Sequence, residues 1–302
     1  MTESAESVAV VVVTYNRADL LAGMLASLGR LEHRPDSVLV IDNHSTDHTP
    51  DVLAASDLAG LQVIRTEENL GGAGGFHLGV RTAFEQGWDR IWLMDDDVQP
   101  EPGCLGVLMA TDEDALMAVR EDTSGRLCEK AATRFDLTHP WAVKPKTAMV
   151  ETDYGTRAAM PERVALENVA FEGFMVRRRV VEAIGLPDPS YFIFYDDCDY
   201  AIRARRAGFT IWAVRDAVLV RQLEFDQQHD LAGWKGYYMY RNLFAVHLRY
   251  GDNLAVRLKP LLVVLAVLLL APLRGGRGEA ANVIRAIPAA WAMRALPPSS
   301  VD

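Results

Sequence analysis

Three consecutive carboxylates, Asp95-Asp96-Asp97, follow directly on the apolar run Ile91-Trp92-Leu93-Met94. Adjacent carboxylates repel one another, and a cation that takes oxygen ligands relieves the repulsion, most simply a divalent metal. In an extended chain Asp95 and Asp97 point to one side and Asp96 to the other. Asp95 and Asp97 are therefore candidates for one metal–diphosphate site, against the alternative of a solvated acidic turn. A second acidic group, Asp196-Asp197-Cys198-Asp199, comes after the aromatic stretch Tyr191-Phe192-Ile193-Phe194-Tyr195. Acidic residues at a helix start are stabilising in themselves, which accounts for Asp199. Asp196 and Asp197, a carboxylate pair among aromatics, offer a general base with a raised pKa.

Smaller polar groups end other apolar runs. Thr14-Tyr15-Asn16-Arg17 closes the β-branched run at 8–13. There Tyr15 could lie against a flat base or pack as an ordinary aromatic, and Arg17 could reach a phosphate. Asp42 ends the next run, where a carboxylate can accept the imide N–H of uracil or a ribose hydroxyl. Ser45, Thr46 and Asp47 suit the capping of a helix at 49–56, and His44 and His48 are loop histidines. Asn69 precedes Gly71-Gly72-Ala73-Gly74-Gly75, which does not complete G-x-G-x-x-G because His77 stands at the last glycine position. This stretch reads as a tight turn that lets backbone N–H groups approach a ligand, with Asn69 as a polar contact to a base or ribose. Gly173, inside the apolar run 169–176, suggests close approach of backbone to a ligand.

The elements that must position these groups alternate. Strands are predicted at 8–13, 37–41, 61–65 and 91–94, with helices at 19–31, 49–56 and 77–86 between them. That is the α/β pattern of right-handed βαβ units: a Rossmann-like, mostly parallel sheet flanked by helices, with ligands at its carboxyl edge. A helix at 103–109 follows, then an irregular segment at 111–163 without clear chemistry. Further helices are predicted at 177–184, 200–207 and 234–250, and a strand at 209–214.

The 302 residues, 50% of them hydrophobic, suffice for one large domain or two small ones. A net charge of -10 argues against a general nucleic-acid binder. Cys104, Cys128 and Cys198 are scattered and odd in number, which suits a reducing compartment, and the first residues lack the character of a signal peptide. From 251 to 302 the basic residues Arg257, Lys259, Arg274, Arg277, Arg285 and Arg294 outnumber the acidic Asp252, Glu279 and Asp302. There an apolar run at 261–271 lies between Pro260 and Pro272. It falls short of the roughly 20 residues that span a bilayer and suits a helix lying on anionic lipid. The alternative is a hydrophobic hairpin that closes the core or joins a homo-oligomer. The expected organisation is a domain at 1–250 and a membrane-associating helical tail at 251–302.

Val-Thr-Tyr-Asn-Arg at 13–17, Asp42-Asn43-x-Ser45-Thr46-Asp47, Asn69-Leu70-Gly71-Gly72-Ala73-Gly74-Gly75-Phe76, Asp95-Asp96-Asp97 and Asp196-Asp197-x-Asp199 occur in that order. The ordered set resembles the family 2 glycosyltransferases of GT-A fold, and among them the bacterial galactofuranosyltransferases and rhamnosyltransferases of cell-wall synthesis, over about residues 7 to 250. The resemblance implies an inverting transferase whose donor is a nucleotide-diphosphate sugar, UDP-linked first of all. Thr14, Tyr15, Arg17, Asp42, Asn69, Asp95, Asp96, Gly173 and Arg221 would contact that donor. Asp42 would read uracil or ribose. Asp95 and Asp97 would form the D-x-D site for the diphosphate and its Mg2+ or Mn2+. Asp197, with Asp196 beside it, would deprotonate the acceptor hydroxyl. The acceptor would be a polysaccharide or a polyprenyl-linked glycan at the inner face of the plasma membrane.

One departure bears on the metal. The family's metal-binding His, expected after the strand that follows the base helix, is absent from Val218-Leu219-Val220-Arg221-Gln222-Leu223, and the next is His229. Either His229 coordinates from a loop, or Arg221 supplies positive charge to the diphosphate. Two readings without transfer stand beside this one. A nucleotide-sugar-binding membrane scaffold would not need the intact Asp197, and an NAD-dependent sugar-nucleotide enzyme would want the complete glycine spacing.

Overall fold

The computed structural model describes residues 6–142, 144–223, 231–274 and 277–294. Its first half alternates β1 (Val8–Thr14), α1 (Ala18–Gly29), β2 (Ser37–Asp42), α2 (Thr49–Ala55), β3 (Leu61–Arg65), α3 (Gly71–Glu85) and β4 (Arg90–Asp95). Then come β5 (Val98–Pro100), α4 (Cys104–Ala110), β6 (Ala115–Asp122), β7 (Ala132–Phe135), β8 (Lys146–Met149), α5 (Val150–Tyr154), β9 (Arg163–Leu166), β10 (Phe174–Arg177) and α6 (Arg178–Ile184). The last elements are α7 (Asp196–Arg206), β11 (Ile211–Arg221), α8 (Trp234–Tyr250), α9 (Leu254–Arg274) and α10 (Arg277–Met293).

The main sheet runs β3-β2-β1-β4-β10-β6-β11-β5, with β9 also on β11. From β3 to β4 every pairing is parallel. β10 enters antiparallel between β4 and β6, and β6 and β11 are parallel again. Every residue of β1 is buried. Val8, Val10 and Val12 join one apolar cluster while Ala9, Val11 and Val13 join the other, so the strand is covered on both faces. β4 divides in the same way, Trp92 and Met94 to one side and Ile91 and Leu93 to the other.

Several expectations need correction. The glycine-rich stretch is not a turn before a helix at 77, because α3 already begins at Gly71. Gly71 does turn the chain, with a φ of +71°, but the helix it opens packs closely on β1 through Gly75 and Gly79. A Cβ on Gly75 would lie 2.5 Å from Val13 Cγ1, and one on Gly79 2.3 Å from Val11 Cγ1. The segment 111–163 is not irregular throughout, since it holds β6, buried at seven of its eight residues, and the β7–β8 hairpin. Arg120, Glu121 and Asp122 at the end of β6 hide its apolar pattern. The run 169–176 is not one strand, and β10 starts only at Phe174. Of the residues expected to cap α2, only Asp47 bonds its start, to Thr49 N, while Ser45 Oγ and the Thr46 N–H bond Asn16.

The tail differs most. Pro260 and Pro272 do not bound the apolar run: α9 is one helix of 21 residues that passes through both. Its window Leu254–Ala271 is long and apolar enough to cross a membrane by length and composition, with a mean hydropathy of 2.4. α9 and α10 pack on α8 in a third apolar cluster that includes Tyr240, Phe244, Val264, Val283 and Ala290. The opposite face of α9 exposes Leu254, Leu258, Leu261, Leu262, Leu265 and Leu269.

Candidate active site

A cleft of about 460 Å³ is lined by residues from the ends of β4 and β11, the 169–172 stretch before β10, the β7–β8 region and the start of α7. It brings together Arg17, Asp95, Asp97, Asp196, Asp197 and Arg221, six of the residues singled out in the sequence. A second hollow of about 820 Å³ adjoins it and shares Lys130, Arg221 and Leu223.

The acidic run divides as expected, Asp95 and Asp97 to one side and Asp96 to the other, although β4 ends at Asp95 and the turn before β5, not an extended strand, carries Asp96 and Asp97. Asp96 turns away, accepting from Thr14 Oγ1 at 2.7 Å and Arg17 Nη1 at 3.0 Å. Asp95 and Asp97 turn into the cleft, where Glu172 joins them. One oxygen from each of the three lies within 4.8 Å of the others. Burial, and then the neighbouring Glu172, Asp97 and Asp96, push the Asp95 carboxyl well above the usual carboxylate range. Among the described residues no hydrogen bond or ion pair reaches the Asp95 carboxylate. Asp97 is also raised, first by burial and then by Glu172, and its Oδ1 is buried without a hydrogen-bond partner. Asp97 is buried and Asp95 and Glu172 are half-buried, and carboxylates crowded in this way repel one another unless a cation joins them. An all-oxygen donor set fits a hard ion such as Mg2+ or Mn2+, so the residues present suit a divalent metal. His229 lies outside the described residues.

Glu172 was not found from the sequence, although an acidic residue inside the apolar run Val169-Ala170-Phe171 to Val176 is a signal. Arg120 was missed too. It is buried, with Nη2 at 2.7 Å from Glu129 Oε1 and Nη1 at 2.5 Å from Glu172 Oε2. Burial favours protonation of Glu172, yet Arg120 and Arg221 overcome it and hold that carboxyl below its ordinary value.

Asp196 and Asp197 open α7. Burial pushes the Asp197 carboxyl up to about 6, against the opposing pull of Lys146 and of the Cys198 N–H that it accepts at 2.6 Å. Asp196 is raised well above the usual range, first by burial and then by Asp197. Asp199 serves the fold: its carboxylate takes Arg203, Arg249 and the hydroxyls of Tyr191 and Tyr250.

The remaining singled-out residues lie outside the cleft lining. Asp42 is buried, accepting from Arg65 Nη1 at 2.9 Å and the Ser45 N–H at 2.8 Å. Tyr15 is exposed at the carboxyl end of β1. Asn69 Oδ1 accepts the Gly71 N–H at 2.8 Å, at the start of α3. Gly173 corrects an expectation: the close approach is to Leu219, whose Cδ1 would lie 2.5 Å from an added Cβ, not to a ligand. Its φ of +105° and the N–H bond to Leu93 O fix the entry into β10.

The profile of the family described as Glycosyl transferase family 2 matches residues 9–183. The galactofuranosyltransferase GlfT1 of Mycobacterium tuberculosis is 30% identical over 225 residues, covering 74% of this chain and 72% of that protein. Among solved structures, the mannosyltransferase PcManGT of Pyrobaculum calidifontis, in complex with GDP-Man and Mn2+, aligns with a TM-score of 0.54 at 20% identity, over 97% of this chain and 77% of that one. TarS 1-349 of S. aureus, in complex with UDP-GlcNAc, aligns with a TM-score of 0.56 at 16% identity, over 95% and 81%. These likenesses agree with the α/β sheet and its carboxyl-edge cleft, which is the GT-A arrangement. The chain belongs to glycosyl transferase family 2 and is a glycosyltransferase.

Proposed function

We propose that this enzyme moves galactofuranose from a UDP-linked donor to a polyprenyl-linked or polysaccharide glycan acceptor, with inversion at the anomeric carbon. The observation that carries the reading is the single cleft holding Asp95, Asp97 and Glu172 together with Asp197. The likeness to GlfT1 supports galactofuranose as the sugar, with rhamnose next. Asp95, Asp97 and Glu172 would hold a divalent cation, which supplies charge stabilisation for the departing diphosphate. Tyr15 and Asp42, at the carboxyl ends of β1 and β2, would take the nucleoside, and Arg17 the phosphates.

Asp197 takes the acceptor hydroxyl proton. A carboxyl raised to about 6 is ionised at neutral pH yet basic enough to accept a proton in the transition state. The adjoining hollow, entered past Lys130 and Arg221, is where the acceptor glycan would lie. On the exposed leucine face of α9 the protein would rest on the cytoplasmic membrane surface, beside a lipid-linked acceptor. Thermal shift against UDP-, GDP- and dTDP-sugars, with and without Mn2+, followed by transfer assays with the stabilising donor, tests the reading. Stabilisation by none of the UDP-linked sugars would sink it.

A further inference from the structure

Arg221 ends β11, and its largely buried guanidinium stands at the three carboxylates of the candidate metal site. Nη2 lies 3.8 Å from Asp97 Oδ2 and 3.9 Å from Glu172 Oε1. Both separations are ion-pair contacts beyond hydrogen-bond length, so Arg221 pairs electrostatically with two of the three carboxylates at once. The same Asp97 oxygen faces Arg17 Nη1 at 3.4 Å, and the other Glu172 oxygen is taken by Arg120. A divalent ion entering this site alone meets three carboxylates and three guanidiniums. When all six are ionised their charges sum to zero, so the ion alone gains little net attraction. A diphosphate changes the balance, because its oxygens match the planar fork of an arginine better than a carboxylate held beyond hydrogen-bond length does.

We propose that Arg221 is a charge gate on the metal site. Without donor it neutralises Asp97 and Glu172, and with donor it pairs with the diphosphate, so that cation and nucleotide bind cooperatively. The proposal rests on the reading of the cleft as a metal–diphosphate site. By linkage, the nucleotide should raise the metal's affinity by the same factor as the metal raises the nucleotide's.

Free Mn2+ can be followed by electron paramagnetic resonance in titrations of the full-length protein, with UDP as the nucleotide probe and correction for Mn2+ that UDP itself binds. The expected result is that Arg221→Gln binds Mn2+ without nucleotide at least about tenfold more tightly than the wild type, and gains less from UDP. Arg221→Lys, which keeps the charge, should bind Mn2+ alone as weakly as the wild type. Equal Mn2+ affinity in the wild type and Arg221→Gln, with equal gain from UDP, would overturn the gate and leave the metal site standing. No Mn2+ bound by either protein, with or without UDP, would overturn the gate and the metal reading together. If Arg221→Gln does not fold, the wild type decides. A Mn2+ affinity unchanged at a UDP concentration that shifts its melting temperature would overturn the gate.

Discussion

The side-chain amide of Asn242 donates to the carbonyl oxygen of Phe194 at 2.8 Å, from a helix 48 residues later in the chain. The same amide reaches Ile193 O and Tyr191 O, and Arg241 adds bonds to Ser190 O and Tyr191 O. Phe192, Phe194 and Tyr195 have φ of 62°, 67° and 68°, a region that bulky residues occupy only when their surroundings impose it. α8 therefore braces a strained loop that delivers Asp196 and Asp197 to the cleft. Asn242→Ala should lower stability by about 1–3 kcal/mol through the carbonyls left without a donor, and should reduce kcat more than it weakens donor binding. Urea unfolding and steady-state kinetics check this, and unchanged values in both would remove the brace.

Asp197→Asn should reduce transfer by roughly 100-fold or more while donor binding by calorimetry stays close to wild type. The wild-type rate should fall as pH drops through about 6, where the base becomes protonated. The sign for stability is opposite. A carboxyl whose folded pKa is raised costs stability when ionised, fully above its folded pKa and not at all below its unfolded one. Asp197→Asn should thus melt higher than the wild type at pH 8, with the gain shrinking towards pH 4. Melting curves at both pH values decide, and a gain that grows on acidification would contradict the assignment.

Asp95→Asn removes a carboxylate that has no cationic partner within bonding distance among the described residues. Melting in EDTA should rise, since repulsion from Glu172, Asp97 and Asp96 is relieved. In Mn2+, UDP affinity should fall on the order of 10- to 100-fold, as expected when a metal site loses a ligand. A fall of the same size in EDTA would point to a direct nucleotide contact instead.

The glycines of α3 separate packing from helix propensity. Gly79→Ala gains helix propensity but places a methyl against Val11, and overpacking of that kind costs about 1–3 kcal/mol, so it should destabilise. Gly72, in the same helix with nothing within 4 Å of an added Cβ, should tolerate Ala without loss. Equal effects at the two positions would mean that α3 does not lie as closely on β1 as described.

Replacing Leu261, Leu265 and Leu269 by Ser changes only exposed positions of α9. Melting should hardly change, while co-sedimentation with anionic liposomes should drop severalfold. Liposome binding as strong as that of the wild type would show that this face is covered by something other than lipid.

Much of this site is legible in the sequence wherever the signal is local. Asp95 and Asp97 declare themselves because a run buried on both faces ends in acid, and Asp196 and Asp197 because aromatics lead into a helix start. Glu172 and Arg120 do not, because their roles arise from pairing across the sheet. β10 inserts antiparallel between β4 and β6, and the residues that lead into it set Glu172 beside Asp97. The glycine run misleads for a related reason. Gly75 in it, and Gly79 just beyond it, are explained by Val13 and Val11, some sixty residues earlier in the chain, and no local rule for turns contains that distance. The prolines of α9 mislead because a helix held by neighbours on one side tolerates the loss of a bond that would end it in isolation.

α8 serves two masters. Asn242 and Arg241 hold the loop that leads into Asp196 and Asp197, while Tyr240 and Phe244 lie in the cluster shared with α9 and α10. A chimera that exchanges the tail at residue 250 would part α8 from the side chains it folds against. One joined between Leu223 and Trp234 would instead transplant α8, α9 and α10 as a unit. For the same reason, a tilt imposed on α9 and α10 would reach the loop before Asp196 and Asp197 through α8, which packs on both. If the leucine face of α9 rests on a membrane, the pose of the protein there and the placement of Asp196 and Asp197 would be one mechanical variable.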